Sequence, residues 1–452
     1  MSLNIVILAA GQGTRMRSEL PKVLHTIGGK PLLLHVHELA TSMSPDSLTL
    51  VYGHGGEMVR RHFSDWKVNW VEQDRQLGTG HAVQQVLPHL DDGQVLILYG
   101  DVPLLRHQTL KKLLEIGRSG VGLLTVRLED PSGYGRIIRD SEGQVRKIVE
   151  EKDATGEEKK ICEVNTGILA VSARHLRSWL HRLDNDNAQG EYYLTDIVAM
   201  AVEDGVMVVT TGADVDEVAG INDKRQLAQL ERVYQQRQVD NLMAQGVTIR
   251  DPSRFDLRGE IVGVGRDVEI DVNVILEGMI RLGDRVKIGP GVVMRDAEIG
   301  DGVEILPYCV IDGVRIGSGC RIGPFARLRP QTELAQEVHI GNFVEIKKSA
   351  IDEGSKINHL SYIGDSEVGS SVNIGAGTIT CNYDGVNKYK TVIEDGAFIG
   401  SNTQLVAPVR VGRGATIGAG STLTRDAPQE KLTLSRSRQV TIDHWQRPQK
   451  KS

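Results

Sequence analysis

Aliphatic residues return at every sixth position along much of the second half of the chain, from about Ile261 to Leu423, with polar residues and glycines between them. The run starts as Val264, Ile270, Leu276, Leu282, Ile288 and Met294, and restarts one residue early at Ile299, Ile305 and Ile311. It continues as Ile316, Ile322, Leu328, Leu334, Ile340 and Ile346, then Ile351, Ile357 and Ile363, then Val368 and Ile374. After a break it closes on Ile393, Ile399, Leu405, Val411, Ile417 and Leu423. An amphipathic helix would place apolar residues three and four apart and a half-buried strand would alternate them, so neither accounts for a sustained period of six. Hexapeptide repeats of a parallel β-helix do. Each hexad then forms one face of a triangular coil, the aliphatic residue pointing inward and the following glycine or small residue turning the corner. About 18 residues per coil gives roughly nine coils rising about 4.8 Å each, a stack about 43 Å long.

The first half is patterned differently. Asn4 to Leu8 is a short apolar strand that runs straight into Ala9-Ala10-Gly11-Gln12-Gly13-Thr14-Arg15-Met16, with Pro21-Lys22 following. Glycines at a strand's carboxyl end let backbone N–H groups approach phosphate oxygens, and Arg15 and Lys22 add charge. On its own this is equally a tight strand-to-helix turn: Met16 stands where a dinucleotide fingerprint needs glycine, and the G-K-[ST] of a P-loop is missing. A second apolar strand, Val95 to Tyr99, ends in Gly100-Asp101-Val102-Pro103 and so sets a carboxylate at the strand edge where open α/β sheets bind ligands. Gln73 to Ala82, with Gly78-Thr79-Gly80, is a third backbone-rich turn for the same crevice. From Asp223 to Gln245, Leu227, Leu230, Tyr234 and Leu242 trace a helical face that Gly246 stops. The expected organisation is an α/β domain over 1–225, a linking helix over 226–246 and a β-helix domain over 247–452. A basic tail with Arg447, Lys450 and Lys451 ends it.

Between Arg327 and Tyr389 the ladder is richer in chemistry than a scaffold requires, with Arg329, Glu345, Lys347, Lys348, His359, Tyr362, Asn373 and the stretch Cys381 to Gly385. The rungs stop between Thr380 and Ile393, so this segment should leave the coil as a loop, a common carrier of function. Taken singly, His359 reads as a surface or inter-subunit histidine, and Lys347-Lys348 as a solvated corner.

Composition narrows the classes. A net charge of -6 with 25% charged residues argues against a general nucleic-acid or membrane-surface binder. The cysteines Cys162, Cys309, Cys320 and Cys381 lack C-x-x-C spacing, so they read as reduced thiols rather than a zinc site or a disulfide framework. Leu3 to Ala10 is too short to span a bilayer and lacks a basic flank with a cleavage site. A cytoplasmic protein is expected.

Gly11-x-Gly13-Thr14-Arg15, Pro21-Lys22, Gly78-Thr79-Gly80 and Tyr99-Gly100-Asp101 together resemble the sugar-nucleotide pyrophosphorylases. Gly133-Tyr134-Gly135-Arg136, Val149-Glu150-Glu151-Lys152, Val164-Asn165-Thr166-Gly167 and Gly220-Ile221-Asn222 match that family's sugar-side and metal-side motifs. Gly190 to Asp196 also resembles a family segment and is given a structural role. With His359-Leu360-Ser361-Tyr362-Ile363-Gly364-Asp365 and Ile379 to Gly385 added, the chain from Asn4 to about Arg438 resembles a bacterial family. Its members are bifunctional N-acetylglucosamine-1-phosphate uridyltransferases and glucosamine-1-phosphate acetyltransferases.

That resemblance implies a Rossmann-like mixed sheet, joined by a long helix to a left-handed parallel β-helix, in a homotrimer that makes UDP-N-acetylglucosamine. It implies UTP and acetyl-CoA as substrates, and Mg2+ on Asp101 and Asn222. Leu8, Ala9, Ala10, Gly11, Lys22, Gln73, Gly78, Thr79, Tyr99, Gly100 and Asp101 would hold the nucleotide, with Arg15 and Lys22 stabilising charge. Gly135, Glu150, Asn165 and Asn222 would face the sugar. Gln12 stands where many relatives have lysine, which affects one phosphate contact. In the second half His359 would be the base and Glu345 would orient or charge-balance it. Arg329, Lys347, Tyr362 and Asn373 would bind the amino-sugar phosphate, and Ala376, Asn382, Tyr383, Ser401, Ala419 and Arg436 acetyl-CoA. The rivals are a single-activity pyrophosphorylase with a β-helix scaffold, disfavoured by the His359 and Asn382 segments, and a purely structural protein, disfavoured by Gly11, Lys22 and Asp101.

Overall fold

The computed structural model describes residues 2–11, 13–53 and 55–450, so the expectations attached to Gln12 and Lys451 lie outside the described residues. It divides into two compact units, Met1–Tyr234 and Gln235–Ser452.

The first unit is built on a nine-stranded sheet. Its strands are β1 (Ser2–Ala9), β2 (Ser47–Tyr52), β3 (Asn69–Glu72), β4 (Gly93–Tyr99), β5 (Gly120–Arg127), β6 (Arg136–Arg139), β7 (Val145–Val149), β8 (Glu163–Ser172) and β9 (Met207–Gly212). The main order is β9-β5-β8-β4-β1-β2-β3, and the hairpin β6-β7 joins through β8. Strands β3, β2, β1 and β4 run parallel, while β8 is antiparallel to both β4 and β5. Helices cover both faces, which is why β1 is apolar at every position from Ile5 to Ala9 rather than alternating. Its Ile5 and Ile7 join one core with Leu33, Val36 and Ala40 of the helix Leu32–Ser42, and its Val6 and Leu8 join another with Leu176 and Trp179. The chain leaves β1 toward β2 and β3 on one side and returns on the other as β4. The carboxyl ends of β1 and β4 therefore splay apart at a topological switch point, the place where doubly wound sheets take ligands. The early residues of the helix Lys224–Ala244, Leu227 and Leu230, pack with Met16, Ile27 and Leu104.

The second unit is a stack of parallel coils. One face is an eleven-stranded parallel sheet from Thr248–Ile249 to Leu432–Thr433, so the stack runs past the expected ladder at both ends. Every ladder residue named above is buried except Val264, which packs partly exposed against the same core. The one-residue-early restarts have a simple cause. The corner that separates the second face from the third turns through a left-handed residue, Gly278, Asp296, Gly313, Gln331, Lys348 or Asp365 in successive coils, and most of these corners are one residue shorter than the others.

The corner glycines behave differently from expectation. Most glycines directly after a rung keep ordinary backbone angles, and the left-handed turn falls further on. They are small because the next coil passes too close: a Cβ on Gly341 would lie 1.9 Å from the carbonyl oxygen of Asn358. The loop expected after Thr380 is present, with Tyr383 and Val386 exposed between the strands Ile379–Cys381 and Thr391–Ile393.

Candidate active sites

At the splayed ends of β1 and β4 lies a cavity of about 240 Å³. Leu8, Ala9, Ala10, Gly11, Lys22, Gln73, Gly78, Thr79, Tyr99 and Asp101 line it, together with Val23, Gln76, Ala82 and Glu191, which the sequence reading passed over. Gly100 sits behind the wall, its N–H bonded to the carbonyl of Leu8 at 2.9 Å. Three chain segments make the rim. Gln73 donates to the Gly78 carbonyl at 3.0 Å, Gln76 donates to the Ala10 carbonyl, and the Gly80 N–H donates to the Tyr192 carbonyl at 2.8 Å. Tyr192 leaves so little room that a Cβ on Gly78 would stand 2.6 Å from its carbonyl oxygen. The Gly190 to Asp196 segment thus braces the Gly78 turn and also brings Glu191 into the cavity.

Lys22 Nζ donates to Asp101 Oδ2 at 2.5 Å and to Asn222 Oδ1 at 3.1 Å. Asn222 arrives by a return of the chain, anchored where the Ile221 N–H donates to the Asp101 carbonyl at 3.0 Å. Two hard oxygens thus converge on one positive charge, a donor set that fits a small divalent cation whose other ligands are phosphate and water. Among the described residues no group of three or more His, Cys, Asp or Glu side chains stands ready for a metal, so the protein's share is this pair of oxygens. Arg15 is exposed in the single turn Thr14–Met16 and does not reach this cluster.

Gly135, Glu150 and Asn165 form a separate group at the base of β6, β7 and β8. The Asn165 N–H donates to the Gly135 carbonyl at 2.8 Å, and a Cβ on Gly135 would stand 3.4 Å from both Glu150 oxygens. Thr195 Oγ1 donates to Glu150 at 2.9 Å. Burial pushes the Glu150 carboxyl above the ordinary carboxylate range, with Asp153 and Glu191 adding to it. Asn165 Oδ1 is buried without a hydrogen-bond partner. An orphan acceptor beside a carboxylate is suited to a polyhydroxylated ligand, because each unmade buried bond costs about 1–3 kcal/mol until a hydroxyl fills it.

In the second unit, His359 stands at the corner between the first and second faces. The backbone links of that corner run from Asn342 to His359, His359 to Ala376, Ala376 to Ser401 and Ser401 to Ala419, each carbonyl accepting from the N–H one residue further on in the next coil. One column thus carries His359 and three of the expected acetyl-CoA contacts. The residue after each column member is left-handed, and its size changes along the stack. It is Tyr308, Phe325, Phe343 and Leu360 in earlier coils, all exposed, then Gly377, Asn402 and Gly420. The corner therefore loses its large side chains just past His359. Arg436 Nη1 donates to the Ala419 carbonyl at 3.0 Å.

Arg329, Glu345, Lys347 and Tyr362 share the second face, where Glu345 is the rung partner of Tyr362 and accepts from Arg329 Nη1 at 2.8 Å. Asn373 lies on the first face, between Lys356 and Phe398, and the corner separates it from the others. Asn382 is buried and donates to Asp365 Oδ2 at 2.5 Å, while Tyr383 is exposed on the loop. The sequence reading missed Lys388. The loop carries it against Lys347, and the close approach of the Lys388 ammonium, with some desolvation and the charge of Arg329, pulls the Lys347 ammonium below its ordinary range. Crowded cations of this kind mark a place for an anion.

Fold and geometry together place the chain among nucleotidyltransferases fused to a hexapeptide-repeat transferase. Two family models cover the corresponding stretches, a MobA-like NTP transferase domain over residues 5–247 and bacterial transferase hexapeptide repeats over 296–330 and 390–425. The bifunctional protein GlmU of Methylococcus capsulatus is 63% identical over 453 residues, covering 100% of this chain and 98% of its own. The GlmU proteins of Nitrosospira multiformis and Alkalilimnicola ehrlichii are 59% and 58% identical, each covering 99% of this chain and 98% and 97% of their own. The chain belongs to the bifunctional GlmU family. Among the described residues no helix is long and apolar enough to cross a membrane.

Proposed function

We propose that the chain makes UDP-N-acetylglucosamine in two steps at two sites: acetyl transfer from acetyl-CoA to glucosamine 1-phosphate, then uridyl transfer from UTP to N-acetylglucosamine 1-phosphate. The domains are an N-terminal uridyltransferase over 1–225, a linking helix over 226–246 and a β-helix acetyltransferase over 247–452.

In uridyl transfer a phosphate oxygen of the sugar 1-phosphate attacks the α-phosphorus of UTP, and the bond to pyrophosphate breaks. Such transfer depends on positioning and charge neutralisation. The Ala9 to Gly11 backbone, Gln73, Gly78 and Thr79 hold the nucleotide in the cavity. Lys22 moves its charge onto the phosphates, and Arg15 swings in from its exposed turn. Asp101 and Asn222 would hold Mg2+, which would supply charge neutralisation at the phosphates. Gly135, Glu150 and Asn165 present donors and acceptors to the sugar.

In acetyl transfer the amine attacks the acetyl carbonyl, His359 takes the amine's proton, and coenzyme A leaves as its thiolate. Histidine suits this role because its ordinary range lies near neutrality. Arg329 and Lys347, with Lys388, hold the sugar phosphate, Glu345 fixes Arg329, and Tyr362 and Asn373 flank the sugar. Acetyl-CoA lies along Ala376, Ser401 and Ala419, with Asn382, Tyr383 and Arg436 at its ends. The protein is a cytoplasmic homotrimer, and the exposed stack Tyr308, Phe325 and Phe343, with ring centroids 5.4 and 5.3 Å apart, is apolar surface for another copy to cover.

The observation that carries this reading is the corner column that aligns His359 with Ala376, Ser401 and Ala419. Full-length protein given glucosamine 1-phosphate, acetyl-CoA, UTP and Mg2+ should yield UDP-N-acetylglucosamine with equal amounts of free thiol and pyrophosphate. Product formed without acetyl-CoA, or thiol released without the amino sugar, would refute it.

A further inference from the structure

We propose that Asn342 is the positioning residue of acetyl transfer, holding His359 in the one tautomer that can act as a base; the inference rests on the reading of His359 as that base. His359 Nδ1 lies 2.7 Å from Asn342 Oδ1. The two are direct partners in the ladder between the strands His339–Asn342 and Lys356–His359, so one coil's rise sets the spacing of their side chains. Three bonds fix the backbone around the pair. The Leu360 N–H donates to the Asn342 carbonyl at 3.1 Å, the Gly377 N–H to the His359 carbonyl at 3.3 Å, and the Ser361 hydroxyl to that same carbonyl at 2.8 Å. The next member of the column is Ala376, which has no side-chain group to compete for the ring.

An amide oxygen accepts hydrogen bonds and cannot donate them, so the proton of a neutral imidazole facing it sits on Nδ1. The lone pair is then left on Nε2, turned away from Asn342. That nitrogen receives the amine's proton. The partner's neutrality also matters. A carboxylate would set the same tautomer but would stabilise the imidazolium, holding back the proton that the departing thiolate needs. Glu345 does not compete for this place, since its carboxylate accepts from Arg329 on the adjoining face.

The test compares Asn342→Ala, Asn342→Asp and His359→Ala in the full-length protein, with thiol release and pyrophosphate release measured on each. Asn342→Ala should lower kcat for acetyl transfer by about 10- to 100-fold, a part of what a general base supplies. KM for both acetyl-transfer substrates should stay within about twofold, because the residue acts through His359 and not on substrate. Pyrophosphate release should be unchanged. Asn342→Asp, which keeps the tautomer but holds the proton more tightly, should restore part of kcat and move the acid limb of the kcat/KM profile to higher pH, since a negative neighbour favours the imidazolium. Wild-type kcat in Asn342→Ala, or an effect on KM alone, would overturn the assignment. So would a loss that Asn342→Asp does not restore and that comes with a lower melting temperature, which would mark a packing role. With His359→Ala inactive, these results judge Asn342 alone; an active His359→Ala would refute the base itself.

Discussion

Lys22 Nζ bridges Asp101 Oδ2 and Asn222 Oδ1, at 2.5 and 3.1 Å, and so occupies the position where two protein oxygens would receive a divalent cation. The ammonium pre-assembles the site: it holds a strand end and a distant return segment together before any substrate arrives. Asp101→Ala should cut pyrophosphate release by about 100-fold or more, a loss typical of a missing charge-stabilising group. Thiol release should be unaffected. A divalent-cation chelator should reproduce that split in the wild type, and the paired assay checks both.

Gly78 adopts φ +106°, a region strained for any side chain, and its missing Cβ makes room for the Tyr192 carbonyl. Gly78→Ala should push the turn away from Tyr192 and open the nucleotide cavity. The expected outcome is a rise in KM for UTP with acetyl transfer intact, measured by initial rates on the two reactions separately.

Asp196 is pushed up to about 6 by burial and by the nearby Asp184, Glu150 and Asp153 carboxylates. Its folded form therefore binds a proton more tightly than the unfolded chain does. The first unit should lose stability as pH rises from about 4 to about 6, because Asp196 must ionise in a crowded acidic pocket. Asp196→Asn should raise the melting temperature at pH 7, and the gain should vanish near pH 4. Thermal melts of both proteins across that range test it.

Lys388 reaches Lys347 only through the loop between Ile379–Cys381 and Thr391–Ile393. Lys388→Ala should raise KM for glucosamine 1-phosphate by about tenfold, the scale of one charged hydrogen bond on an exposed loop. kcat should be largely kept. Initial rates over a range of sugar phosphate at fixed acetyl-CoA give the answer.

Ile357 is fully buried in the coil core, one turn of the stack from Ile340 and Ile374. Ile357→Ala should destabilise the second unit by about 2–5 kcal/mol, as large-to-small core changes do. Denaturant unfolding should show the loss in the β-helix transition while pyrophosphate release under native conditions is kept.

The coil architecture was legible because its signal is local and repeated: each of Ile270, Ile288, Ile305, Ile322 and Ile340 reports the same inward position. The glycine after a rung was misread as a turn because spacing cannot separate a left-handed angle from a close neighbour; only the 1.9 Å approach at Gly341 does. The nucleotide pocket was legible where backbone-rich turns end strands, at Gly11, Gly78 and Asp101. Glu191 and Gln76 were not, since polar residues in a loop look alike until the Tyr192 bracing shows which way the loop folds. Lys388 was hidden for the same reason, its position depending on how the loop returns. Asn342 was hidden although it precedes His359 by one coil: only side-chain geometry shows that this spacing is used.

His359→Ala in the full-length protein, assayed for both products, separates two chemistries at two sites of one chain from any single-site reading. The variant should release no thiol from acetyl-CoA with glucosamine 1-phosphate, and pyrophosphate release from UTP with N-acetylglucosamine 1-phosphate should be undiminished. Thiol release at the wild-type rate, or loss of both activities in a folded protein, would contradict the two-site reading.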